Sequence, residues 1–543
     1  MTAARTLPAP LAPPLPVLLA RRAERDPDGV LIECVDGGGY TNAAFHRDAL
    51  RFACGLRQLG IGPGDRVAVM LDATPLAHVC WIGTAWLKAY EVPINTDFRG
   101  RSLAHALADS GALVLVTTNA LAERVDALRA EFPQLRTIVT IEAERPGIGL
   151  AALTLAELMA HGELATDDPP RELDAYAVIY TSGTTGPSKG VVMPWANIHS
   201  GAVQMFPGDE PEAYPDGACY SPWPTFHAAG KTMLTYAGLR DLRLVMRPRF
   251  SVSAFWDDVR KYRCTHVHLL GFAPLLAQQP PRPDDADNPM RRMLLMPLPA
   301  AYREFEARFG VRVSTGWGMT EIGFPMATAD PGAPGTCGVL SPLYEARIVD
   351  ADDFELADGE VGELVIRSQL PWLMLRSYLG RPEATARAWR NGWFHTGDAL
   401  RRDAAGNYFF VDRIADYLRT RGNNVSSLEV EAQVRLHPEV ADCACIGVPG
   451  ELEGDDDIKL VVIRAADSVL SPDDLYAYLM PRMPRYQLPR YIQFVTELPR
   501  TPTGKVRKSE LRAAAAAGGA DGAGAAGGDG VWDLAAGATP ARP

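Results

Sequence analysis

Hydroxyl groups, glycines and a lysine are concentrated in the segment Tyr180–Gly190. Among its hydroxyl residues, we expect Thr181, Ser182, Thr184 and Thr185 to supply donors. Gly183 and Gly186 allow the backbone to approach an anion closely, and Lys189 adds a positive charge. Together these groups are suited to binding a polyphosphate.

Apolar runs on both sides indicate that this segment is a loop joining two strands. The runs are Ala177–Ile179 and Val191–Met193. The loop is not of the Walker A type, because the G-x-x-x-x-G-K-[ST] spacing is absent. The alternative is a flexible linker, since linkers are also rich in Gly, Ser and Thr. We favour a phosphate-binding loop, because a lysine and two bracketing strands fit a linker poorly.

A second group of chemically active side chains lies in the segment Ser314–Glu321. Trp317 offers an aromatic face that suits a purine, and Glu321 offers the carboxylate that a hard divalent cation prefers beside phosphate oxygens. The alternative is a turn followed by a helix, with Thr320 as its cap. Read by itself, the segment leaves both interpretations open.

Three charged residues nearer the C-terminus could also contact a nucleotide. An ionised Asp398 can accept hydrogen bonds from two hydroxyl groups at once, and the planar guanidinium of Arg413 donates several bonds together. Lys505 could stabilise negative charge in a transition state. The alternatives are a turn aspartate before a glycine and a solvated lysine in a basic run with Arg507 and Lys508.

The order of apolar patterns predicts an α/β fold class with two domains. Helix-like and strand-like runs alternate up to about residue 173, which predicts layered α/β subdomains with parallel strands. A β-rich subdomain follows around Tyr344–Ser368, and a small α+β pattern begins at Asp412. We therefore predict these parts: a large N-terminal domain at 16–411, a hinge at 412–416, a small mobile C-terminal domain at 417–511 and a disordered Ala/Gly-rich tail at 512–543.

Length, charge and cysteine usage restrict the class of protein. A chain of 543 residues exceeds what one hydrophobic core usually supports. Its formal net charge of −12 gives no long-range attraction to nucleic acid or to an anionic membrane, so we expect neither as a partner. Eight scattered cysteines and an N-terminal stretch broken by prolines indicate reduced thiols, no signal peptide and a cytoplasmic protein. The oligomeric state stays open.

The motifs resemble those of the adenylate-forming superfamily, which contains acyl-CoA synthetases, peptide-synthetase adenylation domains and luciferases. The resemblance covers residues 16–511 and rests on motifs in the family's order: Tyr180–Gly190, Ser314–Glu321, Trp393–Asp398, Val411–Arg413, Thr420–Ser426 and Pro499–Lys505. Four stretches look most like the crotonobetaine/carnitine CoA ligase branch: Ala307–Arg312, Tyr344–Val349, Val411–Arg413 and Arg421–Ser427.

The resemblance implies an ATP-dependent acid–thiol ligase that joins a small carboxylic acid to AMP, releases pyrophosphate and passes the acyl group to coenzyme A. It implies ATP, Mg²⁺ and coenzyme A as cofactors, with Glu321 as the metal ligand. The catalytic residues that it implies are Lys505, Thr184, Glu321 and His227. The implied nucleotide and coenzyme A contacts are Thr181, Ser182, Gly183, Thr184, Thr185, Lys189, Trp317, Gly318, Thr320, Asp398, Arg413 and Gly422.

Within this scheme, Asp398 would bind the ribose hydroxyls and His227 would gate the acyl pocket. Rotation at the hinge would withdraw Lys505 after adenylation and present Gly422 for thiol attack. In most relatives the hinge residue is Asp or Lys, whereas this chain has Ala415. We also hypothesise that Lys231 answers a second negative group on the acid.

Two other functions remain to be weighed. The activated acid could pass to another acceptor, such as a carrier-protein thiol or an amine, or the acid itself could be unusual. The chain could also be a catalytically inactive nucleotide-binding regulator. The presence of both Glu321 and Lys505 argues against the regulator.

Overall fold

The chain forms two compact units, each described by itself below. A computed structural model describes residues 13–181, 188–209, 216–416, 418–420, 423–450, 456–501, 504–518 and 531–534. The first unit comprises Met1–Arg347, Val365–His395 and Asp403–Phe409. The second comprises Ile348–Leu364, Thr396–Arg402 and Phe410–Pro543.

The helices follow in chain order. They are α1 (Leu15–Arg25), α2 (Asn42–Gln58), α3 (Pro75–Trp86), α4 (Gly100–Ser110), α5 (Asn119–Asp126), α6 (Leu155–Leu158), α7 (Trp195–Gln204), α8 (Ala228–Leu239), α9 (Phe255–Lys261), α10 (Ala273–Ala277), α11 (Tyr302–Phe309), α12 (Pro382–Ala388), α13 (Ser427–Val434), α14 (Pro472–Leu479) and α15 (Lys508–Gly518). Hydroxyl side chains accept a backbone N–H at several helix starts, among them Thr41, Thr118, Ser426 and Ser471.

The strands are β1 (Val30–Cys34), β2 (Gly39–Thr41), β3 (Arg66–Met70), β4 (Tyr90–Pro93), β5 (Val114–Thr117), β6 (Thr137–Thr140), β7 (Ala151–Thr154), β8 (Ala175–Thr181), β9 (Lys189–Pro194), β10 (Ala218–Ser221), β11 (Arg243–Met246), β12 (Cys264–Leu270), β13 (Arg292–Met296), β14 (Arg312–Met319), β15 (Gly323–Thr328), β16 (Thr336–Leu340), β17 (Tyr344–Val349), β18 (Val361–Ser368), β19 (Ser377–Tyr378), β20 (Trp389–Arg390), β21 (Trp393–Arg402), β22 (Asn407–Arg413), β23 (Leu418–Thr420), β24 (Asn423–Val425), β25 (Val440–Pro449), β26 (Asp456–Arg464), β27 (Tyr491–Phe494) and β28 (Trp532–Asp533).

One sheet of the first unit has eight strands in the order β19-β9-β8-β4-β3-β5-β6-β7. Strands β3 to β7 pair in parallel, and continuous apolar runs such as Val67–Met70 lie buried in it. Such runs are typical of parallel strands covered on both faces. The predicted α/β layering of this region is confirmed. Strands β8 and β9 are antiparallel, so Thr181 pairs with Lys189 at the two ends of the predicted phosphate loop.

A second sheet in this unit runs through β16-β15-β14-β13-β12-β10-β11-β1-β2. Strands β10, β12, β13 and β14 are parallel neighbours, and β14 turns back into β15 as an antiparallel hairpin. Buried side chains from these strands, including Val267, Leu295 and Val313, pack against α9 and α11. Backbone pairing on the two sides of β13 sets the register of β12 and β14.

The second unit contains the predicted small α+β domain. Its sheet has the order β25-β26-β27-β28, and helices α13 and α14 supply side chains to its core. Val430, Leu460, Leu475 and Ile492 are among the fully buried members of that core. The predicted α/β class with a large N-terminal part and a small α+β C-terminal part is confirmed. The domain boundaries and the hinge stay predictions.

The C-terminal tail departs from the prediction of disorder at residues 512–543. Helix α15 continues to Gly518, and Trp532 pairs with Ile492 at the edge of the C-terminal sheet. The prediction is therefore wrong for residues 512–518 and 531–534. Alanine is the strongest helix former, and Trp532 contributes apolar area that packs against the core. The remaining tail residues lie outside the described ranges.

The described helices include none that is long and apolar enough to cross a membrane.

An ion pair in the interior of the first unit joins α8 to β4. The ammonium of Lys231 lies 2.5 Å from a carboxylate oxygen of Glu91, and the two side chains are 0% and 1% exposed. The same ammonium lies 4.4 Å from the centre of the Trp81 ring. Desolvation lowers the pKa of Lys231 and raises the pKa of Glu91, while the attraction within the pair opposes both changes.

This pairing contradicts the hypothesis that Lys231 answers a second negative group on the acid. The charge of Lys231 is already neutralised by Glu91, and the side chain has no exposed surface through which to reach a ligand. The short distance in sequence from His227 to Lys231 suggested the wrong role for Lys231. Its actual partner, Glu91, lies 140 positions earlier in the chain.

Replacing Lys231 should destabilise the first unit strongly. Lys231→Met leaves Glu91 charged and unpaired in the interior, which typically costs about 3–5 kcal/mol. The double variant Lys231→Met/Glu91→Leu should recover most of that loss, because an apolar replacement of both partners is close to neutral. Urea unfolding, monitored by tryptophan fluorescence, measures the free energy of unfolding of both variants.

The matched control is Arg25→Met, which breaks an ion pair with Asp241 whose side chains are 61% and 60% exposed. That change should cost less than about 1 kcal/mol. If Lys231→Met lowered the free energy of unfolding no more than Arg25→Met does, the structural role of the buried pair would be contradicted.

Candidate functional site

The ends of the predicted phosphate loop are fixed by strand pairing and by the partly buried Tyr180. Tyr180 donates a hydrogen bond to Asp109 at 2.9 Å, and Arg381 binds the other oxygen of that carboxylate at 2.6 Å. Burial, followed by the charge of Asp109, raises the pKa of Tyr180, so the phenol stays protonated as a donor. Ser182, Gly183, Thr184 and Thr185 lie outside the described residues, and their assigned roles stay predictions.

Lys189 and Glu321 are brought together by Tyr378, a residue that the sequence analysis missed. The ammonium of Lys189 lies 4.5 Å from the centre of the Tyr378 ring. The Tyr378 hydroxyl donates to a carboxylate oxygen of Glu321 at 3.1 Å. Burial and the adjacent Glu321 raise the pKa of Tyr378, which keeps this donor protonated. Strand β19 places Tyr378 here by pairing it with Val191 of β9.

The hairpin of β14 and β15 positions the second predicted motif. Trp317 and Glu321 are each 6% exposed, and Thr320 is half-buried in the turn. A side chain at Gly318 would overlap the carbonyl oxygen of Gly323, so the hairpin itself requires a glycine at position 318. The alternative of a helix capped by Thr320 is wrong, because the chain turns into β15 instead.

The environment of Glu321 fits the predicted magnesium role. Magnesium is usually held by one or two carboxylates together with substrate phosphates and water, so it needs no dense cluster of protein ligands. The described part of the chain contains no group of three or more His, Cys, Asp and Glu side chains that could hold a metal by itself. A carboxylate oriented by a tyrosine and close to Lys189 is consistent with a metal bound jointly with phosphate.

His227 immediately precedes α8, at the N-cap position, and is half-buried. Its Nδ1 accepts a hydrogen bond from the backbone N–H of Ala229 at 3.1 Å. Because Nδ1 is the acceptor, the proton of the neutral ring belongs on Nε2, which leaves a donor on the opposite edge of the imidazole. The structure thus fixes the ring at a helix start, and the predicted role at the acyl pocket stays a prediction.

In the second unit, Asp398, Arg413 and Lys505 form one group. Arg413 lies 3.9 Å from Asp398, and both influence the charge of Lys505. The pKa of Lys505 is lowered, first by desolvation and then by Arg413, while Asp398 opposes the change. Lys505 retains exposed surface at the end of a turn in which Gly504 has a φ of +82°.

The structure excludes the simpler alternative for Asp398, whereas Lys505 is itself exposed and only its neighbour Lys508 departs from a solvated basic run. Asp398 lies within β21, and the turn before Gly406 is made by Asp403, which accepts the backbone N–H groups of Ala405 and Asn407. The residues after Lys505 are not a uniformly solvated basic run, because Lys508 is buried. Asp398 and Lys505 therefore remain candidates for nucleotide contacts.

A buried polar network ties the predicted hinge to the segment that carries Lys505. Asp412 accepts a hydrogen bond from Ser427 at 2.6 Å. Lys508 donates to the same hydroxyl at 2.5 Å and lies 2.7 Å from Glu431. Asp416 also pairs with Arg512 of α15. Within the second unit, both ends of residues 412–416 are anchored to the last part of the chain. Gly422 lies outside the described residues.

Solved structures share this fold. ATP-bound MatB from Rhodopseudomonas palustris matches with a TM-score of 0.79 at 25% identity, over 92% of this chain and 99% of that one. The anthranilate CoA ligase AuaEII in complex with anthranoyl-AMP matches with a TM-score of 0.81 at 25% identity, over 94% and 99% of the two chains. The fold is thus shared with proteins that were solved with bound ATP and with a bound acyl-AMP.

The chain belongs to the AMP-binding enzyme family. The model of that family matches residues 19–379, and the model of the AMP-binding enzyme C-terminal domain matches residues 429–505. A crotonobetaine/carnitine–CoA ligase of Salmonella typhi is 31% identical over 499 residues, covering 87% of this chain and 93% of the relative. The predicted superfamily, and the resemblance to that branch, are confirmed.

Removing the Tyr378 hydroxyl should weaken magnesium-dependent nucleotide binding. Tyr378→Phe keeps the ring beneath Lys189 but removes the donor that orients Glu321. A hydrogen bond to a charged group contributes about 1.5–3 kcal/mol, so ATP affinity at limiting Mg²⁺ should fall about tenfold or more. Calorimetric titration of ATP at several Mg²⁺ concentrations measures the effect.

Tyr344→Phe is the control, because the Tyr344 hydroxyl donates to the carbonyl of Ile322, the residue next to Glu321. This variant should lose some stability and keep the magnesium dependence. Equal magnesium dependence in the two variants would rule out an orienting role for Tyr378.

Proposed function

We propose that this chain is an AMP-forming acid–CoA ligase. It adenylates a small carboxylic acid with ATP, releases pyrophosphate and transfers the acyl group to coenzyme A. The observation that supports this most directly is the cluster of Lys189, Tyr378 and Glu321 at the end of the loop between β8 and β9. In a member of the AMP-binding enzyme family, that cluster matches the requirements of a bound triphosphate.

In the first half-reaction, a carboxylate oxygen attacks the α-phosphorus of ATP. The new P–O bond forms while the bond to the β-phosphate oxygen breaks, and pyrophosphate leaves with the electron pair. Lys189 neutralises phosphate charge from the first unit, and the ammonium of Lys505 stabilises the charge that develops during transfer. Charge neutralisation and orientation of phosphate oxygens are what a magnesium ion bound at Glu321 would supply.

Each unit offers side chains that suit a part of the nucleoside. Trp317 offers a buried aromatic face for adenine, and Asp398 accepts hydrogen bonds from the ribose hydroxyls, with Arg413 beside it. Thr181 and the loop residues Ser182, Gly183, Thr184 and Thr185 supply donors to the phosphates. We place Thr320 at the same bound nucleotide as Trp317.

In the second half-reaction, the thiolate of coenzyme A attacks the acyl carbon. A C–S bond forms, the C–O bond to phosphate breaks, and AMP leaves. Lys505 has no task in this step, so a change at residues 412–416 can remove it and present the segment around Gly422. Transfer to another thiol or to an amine would use the same first half-reaction and differ only here.

The state of the cysteines and the net charge support a cellular setting and a class of partner. All eight cysteines are free, which favours the reducing cytoplasm. The substrate is a small-molecule acid, and the net charge of −12 supports neither nucleic acid nor an anionic membrane as a partner.

Loss of the Lys505 charge should separate the two half-reactions. Lys505→Met should slow acid-dependent pyrophosphate release by about 10²–10³-fold, the usual effect of removing one transition-state donor. Thioester formation from a chemically prepared acyl-adenylate and coenzyme A should stay near the wild-type rate. A coupled pyrophosphate assay over a broad acid panel, with and without coenzyme A, measures the first, and chromatography of the thioester measures the second.

Arg507→Met provides the control, because Arg507 is a nearby cation that pairs with Glu510 at 2.7 Å. It should leave both half-reactions nearly unchanged. Acid-dependent pyrophosphate release without any thioester would favour another acceptor, and no release with any acid would overturn the proposal.

The pH dependence of adenylation should report the lowered pKa of Lys505. The ammonium is charged below its pKa and loses its charge as the pH rises, and this pKa lies below 10.5. The rate of pyrophosphate release should therefore fall on an alkaline limb that begins below pH 10.5. In Lys505→Arg, which stays charged, that limb should disappear even if the rate is lower. An unchanged alkaline limb in this variant would assign it to another group.

A further inference from the structure

Helix α4 contacts both ends of the predicted phosphate loop through two side chains one helical turn apart. His105 and Asp109 lie on the same face of the helix, because residues four positions apart are neighbours on a helix surface. Nε2 of His105 donates a hydrogen bond to the carbonyl of Ser188 at 2.9 Å, since a carbonyl oxygen can only accept. Asp109 accepts the hydrogen bond of Tyr180. We call His105 and Asp109 the α4 clamp.

The two contacts of the α4 clamp reach strand β9 on either side of Lys189. On one side, the carbonyl of Ser188 lies in the same planar peptide unit as the N–H of Lys189, so fixing the direction of one fixes the other. On the other side, Tyr180 is paired with Gly190. A Cβ added at Gly190 would lie 3.3 Å from the Tyr180 ring, so the ring that Asp109 holds packs closely on the Gly190 backbone.

The α4 clamp acts from the face of the sheet opposite to the Lys189 side chain. Side chains alternate along a strand, so Lys189 points away from the face of Gly190 and Val192. Val192 belongs to the same core as the buried Leu107 of α4. The Lys189 ammonium lies on the other face, over the ring of Tyr378. The clamp therefore reaches Lys189 through the backbone of β9 and not through its side chain.

The carboxylate of the α4 clamp also holds the segment on the other side of β9. The second oxygen of Asp109 binds Arg381 at 2.6 Å, and Arg381 follows Tyr378 of β19 by three positions. Between them, the N–H of Leu379 donates to the carbonyl of Gly190 at 2.8 Å. Strands β8 and β19 are the two neighbours of β9 in the sheet. One carboxylate is thus bonded to residues within or next to both of them.

We propose that His105 and Asp109 are positioning residues for adenylation, which fix the backbone of β9 on both sides of Lys189 so that its ammonium is directed at the phosphates of ATP. Neither residue contacts the nucleotide in this scheme. Fixing the backbone before ATP binds lowers the entropy that is lost when the lysine is ordered against a phosphate. This inference rests on the proposed ligase function and adds to its machinery two residues that lie outside the family's motifs.

A double-mutant cycle tests whether the α4 clamp acts through Lys189. His105→Leu removes the donor to the Ser188 carbonyl. It should raise the Kd of ATP with Mg²⁺, measured by calorimetry, about three- to tenfold, which is the usual effect of losing one hydrogen bond. In the Lys189→Met background the same change should raise this Kd about twofold or less, because the side chain that the clamp positions is gone. A change that only loosened the fold would cost the same factor in both backgrounds.

His105→Gln is the conservative variant, because its amide can place an N–H close to the position of the imidazole Nε2. It should keep the Kd of ATP within about twofold of the wild-type value. Gln134→Leu is the matched control, since the Gln134 amide donates to the Leu107 carbonyl of the same helix at 2.9 Å. It should alter stability and leave the Kd of ATP unchanged. In His105→Leu, thioester formation from a prepared acyl-adenylate should stay near the wild-type rate, because pyrophosphate has already left.

If His105→Leu does not fold, Tyr180→Phe replaces it, because it removes the hydroxyl through which Asp109 holds the ring, and it should show the same dependence on Lys189. An unchanged Kd of ATP, an equal factor in both backgrounds or an equal loss in Gln134→Leu would overturn the inference and leave the ligase function intact. Wild-type protein that binds ATP but releases pyrophosphate with no acid would overturn the ligase function, and the Kd comparisons would still decide the role of the α4 clamp.

Discussion

A chain with a net charge of −12 must create positive potential locally if it is to bind a nucleotide triphosphate. The first unit does so at the start of β9, where Lys189 lies over Tyr378 and Tyr378 donates a hydrogen bond to Glu321. The second unit does so with Arg413 and Lys505. The pKa of Lys505 is lowered first by desolvation and then by repulsion from Arg413, an electrostatic cost that Asp398 opposes. A bound phosphate would relieve that cost, which makes the same repulsion a source of affinity for ATP.

The scaffolding around these groups is built from buried polar contacts. Asp412, Ser427, Lys508 and Glu431 form a network in which each charge has a partner, and the Lys231–Glu91 pair does the same inside the first unit. Buried pairs of this kind add little net stability but make any single loss costly. They hold the elements that carry His227 and Lys505 to one arrangement within each unit.

The fold and the positions of the motifs could be predicted from the sequence because those signals are local. Apolar runs marked the strands, and the types and order of residues in the motifs, together with the family resemblance, allowed Lys189, Glu321 and Asp398 to be proposed as site residues. The contacts that complete the site are long-range. Tyr378 meets Glu321 across 57 positions, and Lys231 meets Glu91 across 140, so no pattern within a short window reveals either. In the tail, an Ala-rich composition predicted disorder where the high helix propensity of alanine extends α15.

The central claim is that a carboxylate oxygen attacks the α-phosphorus of ATP. An acid found active in the pyrophosphate assay, carrying ¹⁸O in both carboxylate oxygens, tests it directly by mass spectrometry of the products with coenzyme A present. The account predicts one ¹⁸O atom in AMP for each thioester formed, and none in pyrophosphate. Unlabelled AMP, with the label in phosphate or pyrophosphate instead, would contradict it.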